Sequence, residues 1–151
     1  MPVNEKEFSA LLALLSGRSE EHNRLLDELD PAEQARGYSA LIAAGMFELA
    51  EKRFIRDGKY APRSEVLAYV AHARGKSDDF ADELDPRIAE RVLLCALDEG
   101  EIDDIDNSEA IKTQLWLLGA LVDDEEFSRD ELHSFLKLAR RTADEWLEPE
   151  P

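Results

Sequence analysis

One cysteine, Cys95, stands alone in 151 residues. It excludes an internal disulfide framework and a metal site built from several thiolates, and it fits a reducing compartment. Basic residues are the second shortage: 18 Lys and Arg face 35 Asp and Glu, leaving a formal net charge of -17. A surface of that sign repels nucleic-acid phosphates, so direct binding to DNA or RNA is not expected, whereas a basic partner is attracted. No stretch reaches the roughly 18 apolar residues of a membrane span. Met1 to Phe8 carries acids rather than a basic segment followed by an apolar run, so no secretory signal and no membrane association are expected, and the cytoplasm is the default location. Also missing are an alternating β-branched run, a GxSxG elbow, a P-loop, a dinucleotide fingerprint and the HExxH or Glu-x-x-His pairs of zinc and di-iron helices. No enzyme class, cofactor or metal follows from motifs.

What is present is helical. Hydrophobic residues make up 44% of the chain, enough for a folded core, and they recur at helical spacing throughout. The fold class expected is all-α, a compact bundle of about six or seven helices forming a single domain over 1–151, with a short disordered tail at 148–151. The organising element is the uncharged stretch Gly37 to Phe47, within a long central helix over about 31–55. One stripe of it is Tyr38, Ile42, Gly45, Met46 and Leu49, and a second is Ala40, Ala43, Phe47, Ala50 and Phe54. A helix apolar over most of its circumference lies at the centre of a bundle or at a subunit contact.

Local signals divide the chain. A first helix over about Asn4 to Ser16 stops at Gly17, and Ser19 caps a second with His22, Leu25, Leu26 and Leu29 inside. Asp30 and Pro31 start the central helix as cap and first-turn proline, and Asp57-Gly58 is a turn after its end. Ser64 begins a helix that buries Val66, Leu67, Val70 and Ala73 and stops at Gly75; the acidic 76–84 segment is an exposed connection anchored by Phe80 and Leu84. Asp85-Pro86 starts another helix, Thr113 to Val122 lies deep in the next, and Ser128 with Glu131 forms a capping box for the last. That last helix places Leu132, Phe135, Leu136, Ala139, Ala143 and Trp146 on one inner face.

Asp27-Glu-Leu-Asp-Pro31 recurs as Asp82-Glu-Leu-Asp-Pro86, and at the same offset Gly45 matches Gly100 and Leu12 matches Leu67. Either a helical hairpin is duplicated over 9–45 and 64–100, or helix-rich sequence produces the coincidence because Asp-Pro is a good helix start.

Two charge clusters are candidate sites. Asp98, Glu99, Glu101, Asp103, Asp104 and Asp106 form a partner-binding candidate, in a stretch that extends to Glu109 without a base. Asp98, Ile105, Asp106 and Glu109 match positions 1, 8, 9 and 12 of an EF-hand loop. Gly100 and Ile102, however, stand where side-chain oxygens belong, and Asp103 replaces the turn glycine, so a solvated loop pinned by Ile102 and Ile105 is the reading preferred to calcium. Lys52, Arg53, Arg56, Lys59 and Arg63 form an anion-binding candidate with Tyr60 in its midst; the plain alternative is cations that complement a helix C-terminus and pair with nearby acids. His22, His72 and His133 are dispersed and read as structural or solvated, and Cys95 as a packed thiol.

By elimination and charge, the function expected is that of a non-enzymatic protein-interaction module. Its partner is a protein, basic if charge is what is recognised, bound as a sequestering, immunity-like or nucleic-acid-mimicking protein would bind it. The alternatives are a homo-oligomeric structural protein, a homodimer in the simplest case, joined through Gly37 to Phe47 or Thr113 to Val122, and a metal-dependent or small-ligand enzyme with a carboxylate-rich site.

Overall fold

The computed structural model describes residues 2–29 and 34–148. The described residues are all-α except for one small hairpin. Eight α-helices occur among them: α1 (Glu5–Leu15), α2 (Ser19–Asp27), α3 (Ser39–Phe54), α4 (Arg63–Arg74), α5 (Asp78–Glu83), α6 (Pro86–Ala96), α7 (Asn107–Glu125) and α8 (Arg129–Leu147). A π-helical turn, Gln34–Tyr38, leads directly into α3. Asp30 and Pro31, the expected start of the central helix and the end of the first copy of the repeated motif, lie outside the described residues, as does the tail from 149 onward.

The contacts divide the chain into two units, 1–45 with 125–151 and 46–124. In the first, α1 begins with a capping box: the Asn4 side chain accepts from the Glu7 N–H at 2.8 Å and Glu7 accepts from the Asn4 N–H at 2.9 Å. Phe8, Ala10, Leu11 and Ala13 form its buried face, and Gly17 ends the segment at φ 80°, a left-handed conformation that glycine adopts without strain. Arg140 of α8 ties down the chain's start, donating to the Val3 carbonyl at 2.8 Å and to Glu5 at 2.7 Å, while Asp144 accepts from the Val3 N–H. The α8 capping box of Ser128 and Glu131 is present, with bonds of 2.8 and 3.1 Å. Leu132, Phe135, Leu136, Ala139 and Ala143 are buried as their spacing predicts. Trp146 is not: it is 50% exposed, one turn beyond the last buried residue of the stripe, Ala143. Ser19 opens α2 as its first residue rather than as its cap, a position taken by Arg18.

In the second unit, Asp57-Gly58 is more than a turn. Both residues have positive φ, 54° and 74°, which suits the two-residue loop of a tight antiparallel hairpin. Ile55 pairs with Tyr60 and Arg56 with Lys59, so β1 (Ile55–Arg56) and β2 (Lys59–Tyr60) form a short ribbon between α3 and α4. The 76–84 segment is helical rather than a plain connection: Ser77 caps α5, and Arg74 donates to the Leu84 and Ala81 carbonyls at 2.9 Å each. Asp85 caps α6 through the N–H groups of Arg87 and Ile88, with Pro86 at the first helical position. Leu84, Leu93, Leu97, Leu117 and Leu118 are fully buried, each worth about 1.5–3 kcal/mol of transfer free energy. On α4 the buried face is Val66, Tyr69, Val70 and Ala73; Leu67, expected inside, is 45% exposed.

The central stretch is divided. Tyr38, Ile42, Gly45, Met46 and Leu49 are all buried, whereas Ala40, Ala43 and Phe47 of the second stripe are only half-buried. Leu41 and Ala44, on neither stripe, are fully buried.

Candidate functional site

The acidic candidate is a loop in the second unit, braced by backbone and side-chain hydrogen bonds. Leaving α6, the chain turns through Asp98 at φ 61° while the Glu99 N–H bonds back to the Leu94 carbonyl at 2.8 Å. Ile102 and Ile105 are half-buried and joined by a turn, the Ile105 N–H donating to the Ile102 carbonyl at 2.9 Å. Arg91 reaches down from α6, donating to the Glu101 carbonyl at 3.0 Å and gripping the Asp104 carboxylate with two N–H groups. That hydrogen bonding holds the Asp104 carboxyl below, and the Arg91 guanidinium above, their ordinary pKa values. Pinning the two isoleucines and the Glu101 backbone leaves the side chains outward: Asp98, Glu99, Glu101, Asp103, Asp104 and Asp106 are all exposed. Only Asp104 among these six forms an ion pair within the described residues.

The loop's charge is felt at Cys95. Burial pushes the half-buried thiol above its ordinary pKa, and Asp103, Asp98 and Glu101 push it further. A thiolate is disfavoured there, the opposite of what a nucleophilic cysteine needs.

Of the basic candidate, Arg53 and Arg56 share a groove and Lys59 lies opposite Arg56 across the hairpin, whereas Arg63 is engaged elsewhere. Arg63 turns to α6, where its Nε and Nη2 reach Glu90 at 2.8 and 2.6 Å. Lys52 and Lys59 are exposed, the latter on the hairpin. Arg53 and Arg56 remain, and they line an open groove of about 320 Å³ with Phe54, Glu65, Ala68, Tyr69 and His72. The Arg53 guanidinium lies over the Tyr69 ring, 4.4 Å from its centroid, and Tyr69 meets Phe54 edge-on at 5.8 Å.

Behind the groove stands a network that spacing alone does not reveal. Asp124 of α7 accepts from the Tyr69 hydroxyl at 2.8 Å and from the Lys76 ammonium at 2.7 Å, and its Oδ1 lies 3.1 Å from His72 Nε2. Lys76 also binds Asp123 at 2.5 Å. Burial alone would raise the Asp124 carboxyl, but the bonds from Lys76, His72 and Tyr69 outweigh it and hold it at about 2. Burial would likewise lower the Lys76 ammonium, and the two aspartates raise it instead. The Tyr69 hydroxyl is pushed well up by burial and by Asp124, so it stays a donor.

The other histidines are in the first unit. His22 Nε2 lies 2.8 Å from the Tyr38 hydroxyl in a buried pair, and His133 meets Phe8 edge-on at 5.5 Å. Among the described residues no three His, Cys, Asp or Glu side chains converge to hold a metal ion, and no helix is long and apolar enough to cross a membrane. Compared with the models of known protein families, with curated proteins and with solved structures, the chain matches none.

Proposed function

We propose that the chain is a non-enzymatic protein-interaction module that binds a basic protein through the loop from Asp98 to Asp106. One observation carries this reading: the loop combines a hydrogen-bonded, braced backbone with exposed carboxylates that, Asp104 apart, no cation pairs among the described residues. Its backbone is braced by Arg91, Ile102 and Ile105, while six carboxylates face solvent, only one of them, Asp104, in an ion pair among the described residues. A fixed loop loses less conformational entropy on docking than a floppy one, so more of its electrostatic attraction survives as affinity. Clustered like charge also steers a basic partner and speeds encounter. Sequestration or mimicry of a nucleic acid's charge is the corresponding role.

Self-association through Gly37 to Phe47 or Thr113 to Val122 has less support. Leu41, Ile42, Ala44, Thr113, Leu117 and Leu118 are already buried within the chain, so a second copy would have to dock on the half-buried Ala40, Ala43, Phe47, Leu115 and Trp116.

The test is capture from a nuclease-treated lysate of the source cells, with wild type beside a loop carrying Asp98→Asn, Glu99→Gln, Glu101→Gln, Asp103→Asn and Asp106→Asn. The expected result is a stoichiometric basic protein retained by wild type at low salt, released at high salt and not retained by the variant. A partner retained equally by both chains refutes the loop as the docking element.

A further inference from the structure

The groove beside the hairpin has the sign opposite to the rest of the molecule. In a chain of net charge -17, Arg53 has no carboxylate at ion-pairing distance among the described residues, and its contact is the face of Tyr69. Stacking fixes the plane of the guanidinium and leaves its N–H edges available. Arg56, from β1, faces Glu65 at 3.9 Å, a distance at the limit of an ion pair, with both side chains largely exposed. The competing carboxylate behind the floor is already saturated, since Asp124 is committed to Tyr69, His72 and Lys76. Tyr69 and Phe54 are almost wholly buried and give the groove a rigid aromatic floor, with Ala68 as a further apolar wall.

We propose that this groove binds a small phosphomonoester. Two guanidinium groups match a dianion with three terminal oxygens better than a carboxylate, and the space of about 320 Å³ holds a phosphate with a small organic body against the exposed Ala68 and the rim of the aromatic floor. The site is independent of the acidic loop, and either can fail without the other. Two features place its cations: Arg56, held on β1 by its pairing with Lys59, faces Glu65 of α4, and the last turn of α3 lays Arg53 on Tyr69.

The experiment is an NMR titration of the full chain at constant ionic strength with inorganic phosphate, phenyl phosphate and phenol, following the arginine Nε–Hε signals. Both phosphates are expected to give saturable shifts at Arg53 and Arg56, phenyl phosphate binding several-fold more tightly, and phenol none. Arg53→Gln and Arg56→Gln should each weaken phenyl phosphate at least tenfold, while Arg87→Gln, outside the groove, leaves it unchanged. Glu65→Gln removes the one rim carboxylate and should tighten binding several-fold, a gain that a folding defect cannot imitate. Shifts that rise linearly with phosphate, that are equal at Arg87, or that are indifferent to Glu65→Gln overturn the proposal.

Discussion

Arg91 holds Asp104 from thirteen positions away, one N–H reaching Oδ2 at 3.1 Å and another bonding Oδ1, while the same guanidinium supports the Glu101 carbonyl. One cation thus shapes the backbone of a loop whose other acids it leaves unpaired. Arg91→Gln should loosen the loop without unfolding the helices around it. Hydrogen exchange of the amides from Glu99 to Ile105 is expected to speed up, with amides of α6 and α7 unchanged. Unchanged exchange in the loop would show that Ile102 and Ile105 suffice.

Asp124 is the hub of the second unit's polar network, and its low pKa makes it a source of stability that acid removes. Its carboxyl titrates at about 2 in the fold and near 4 when unfolded, so the unfolded chain binds the extra proton between those values. The contribution, about 2 kcal/mol, is fully present above roughly pH 4 and is lost as pH falls through 2. Asp124→Asn at neutral pH should lower the melting temperature by about 4–8 °C. It should also flatten the acid limb of the stability curve, as read by chemical denaturation between pH 2 and 5.

His22 works in a different window. Burial lowers the imidazole below its ordinary value, against a smaller opposing hydrogen bond with Asn23. The unfolded chain therefore takes up a proton that the folded chain resists. The resulting stability is complete above the unfolded pKa of about 6.5 and declines as pH falls toward the folded value. Melting temperatures at pH 7.5 and 5.5 should differ less for His22→Gln than for wild type. Equal differences would remove His22 from the acid response.

Gly37 sits where the π-helical turn passes over α1. A Cβ built there falls 1.9 Å from Glu7 Oε2 and 2.5 Å from its Cδ. Glu7 is almost wholly buried and engaged in the Asn4 capping box, so its carboxylate cannot move aside cheaply. Gly37→Ala should cost about 1–3 kcal/mol in denaturant unfolding, as overpacking does. Glu7→Ala in the same background should recover part of that loss, which separates the clash from any change in helix propensity.

The parts of this fold legible in the sequence are those decided within a few residues. Asp85-Pro86 and Ser128 with Glu131 start helices because a side-chain oxygen meets N–H groups two or three positions on, and no distant residue is needed. The Asp57-Gly58 turn was legible for the same reason. Its hairpin was not, because two-residue strands carry no alternation to detect. Helical spacing identified the stripes but not how wide or how long each buried face is: Leu67, beside the buried Val66, and Trp146, a turn beyond Ala143, lie outside. Long-range polar pairing left the least trace. Tyr69 and Asp124 are 55 positions apart, Arg63 and Glu90 are 27 apart, and the sequence contains too many acids for any one pairing to stand out. The acidic loop could be read directly, Ile102 and Ile105 included; its clamp by Arg91 could not.

Docking of a basic protein on the Asp98–Asp106 loop, as proposed, makes the salt dependence of binding a property of those carboxylates. The most direct measurement is the dissociation constant of the captured partner for wild type and for the loop-neutralised variant across a salt series. Wild-type affinity should fall steeply with salt, and the variant should bind much more weakly with a flattened salt dependence. Equal affinities for the two chains, or a wild-type complex indifferent to salt, would contradict docking on this loop.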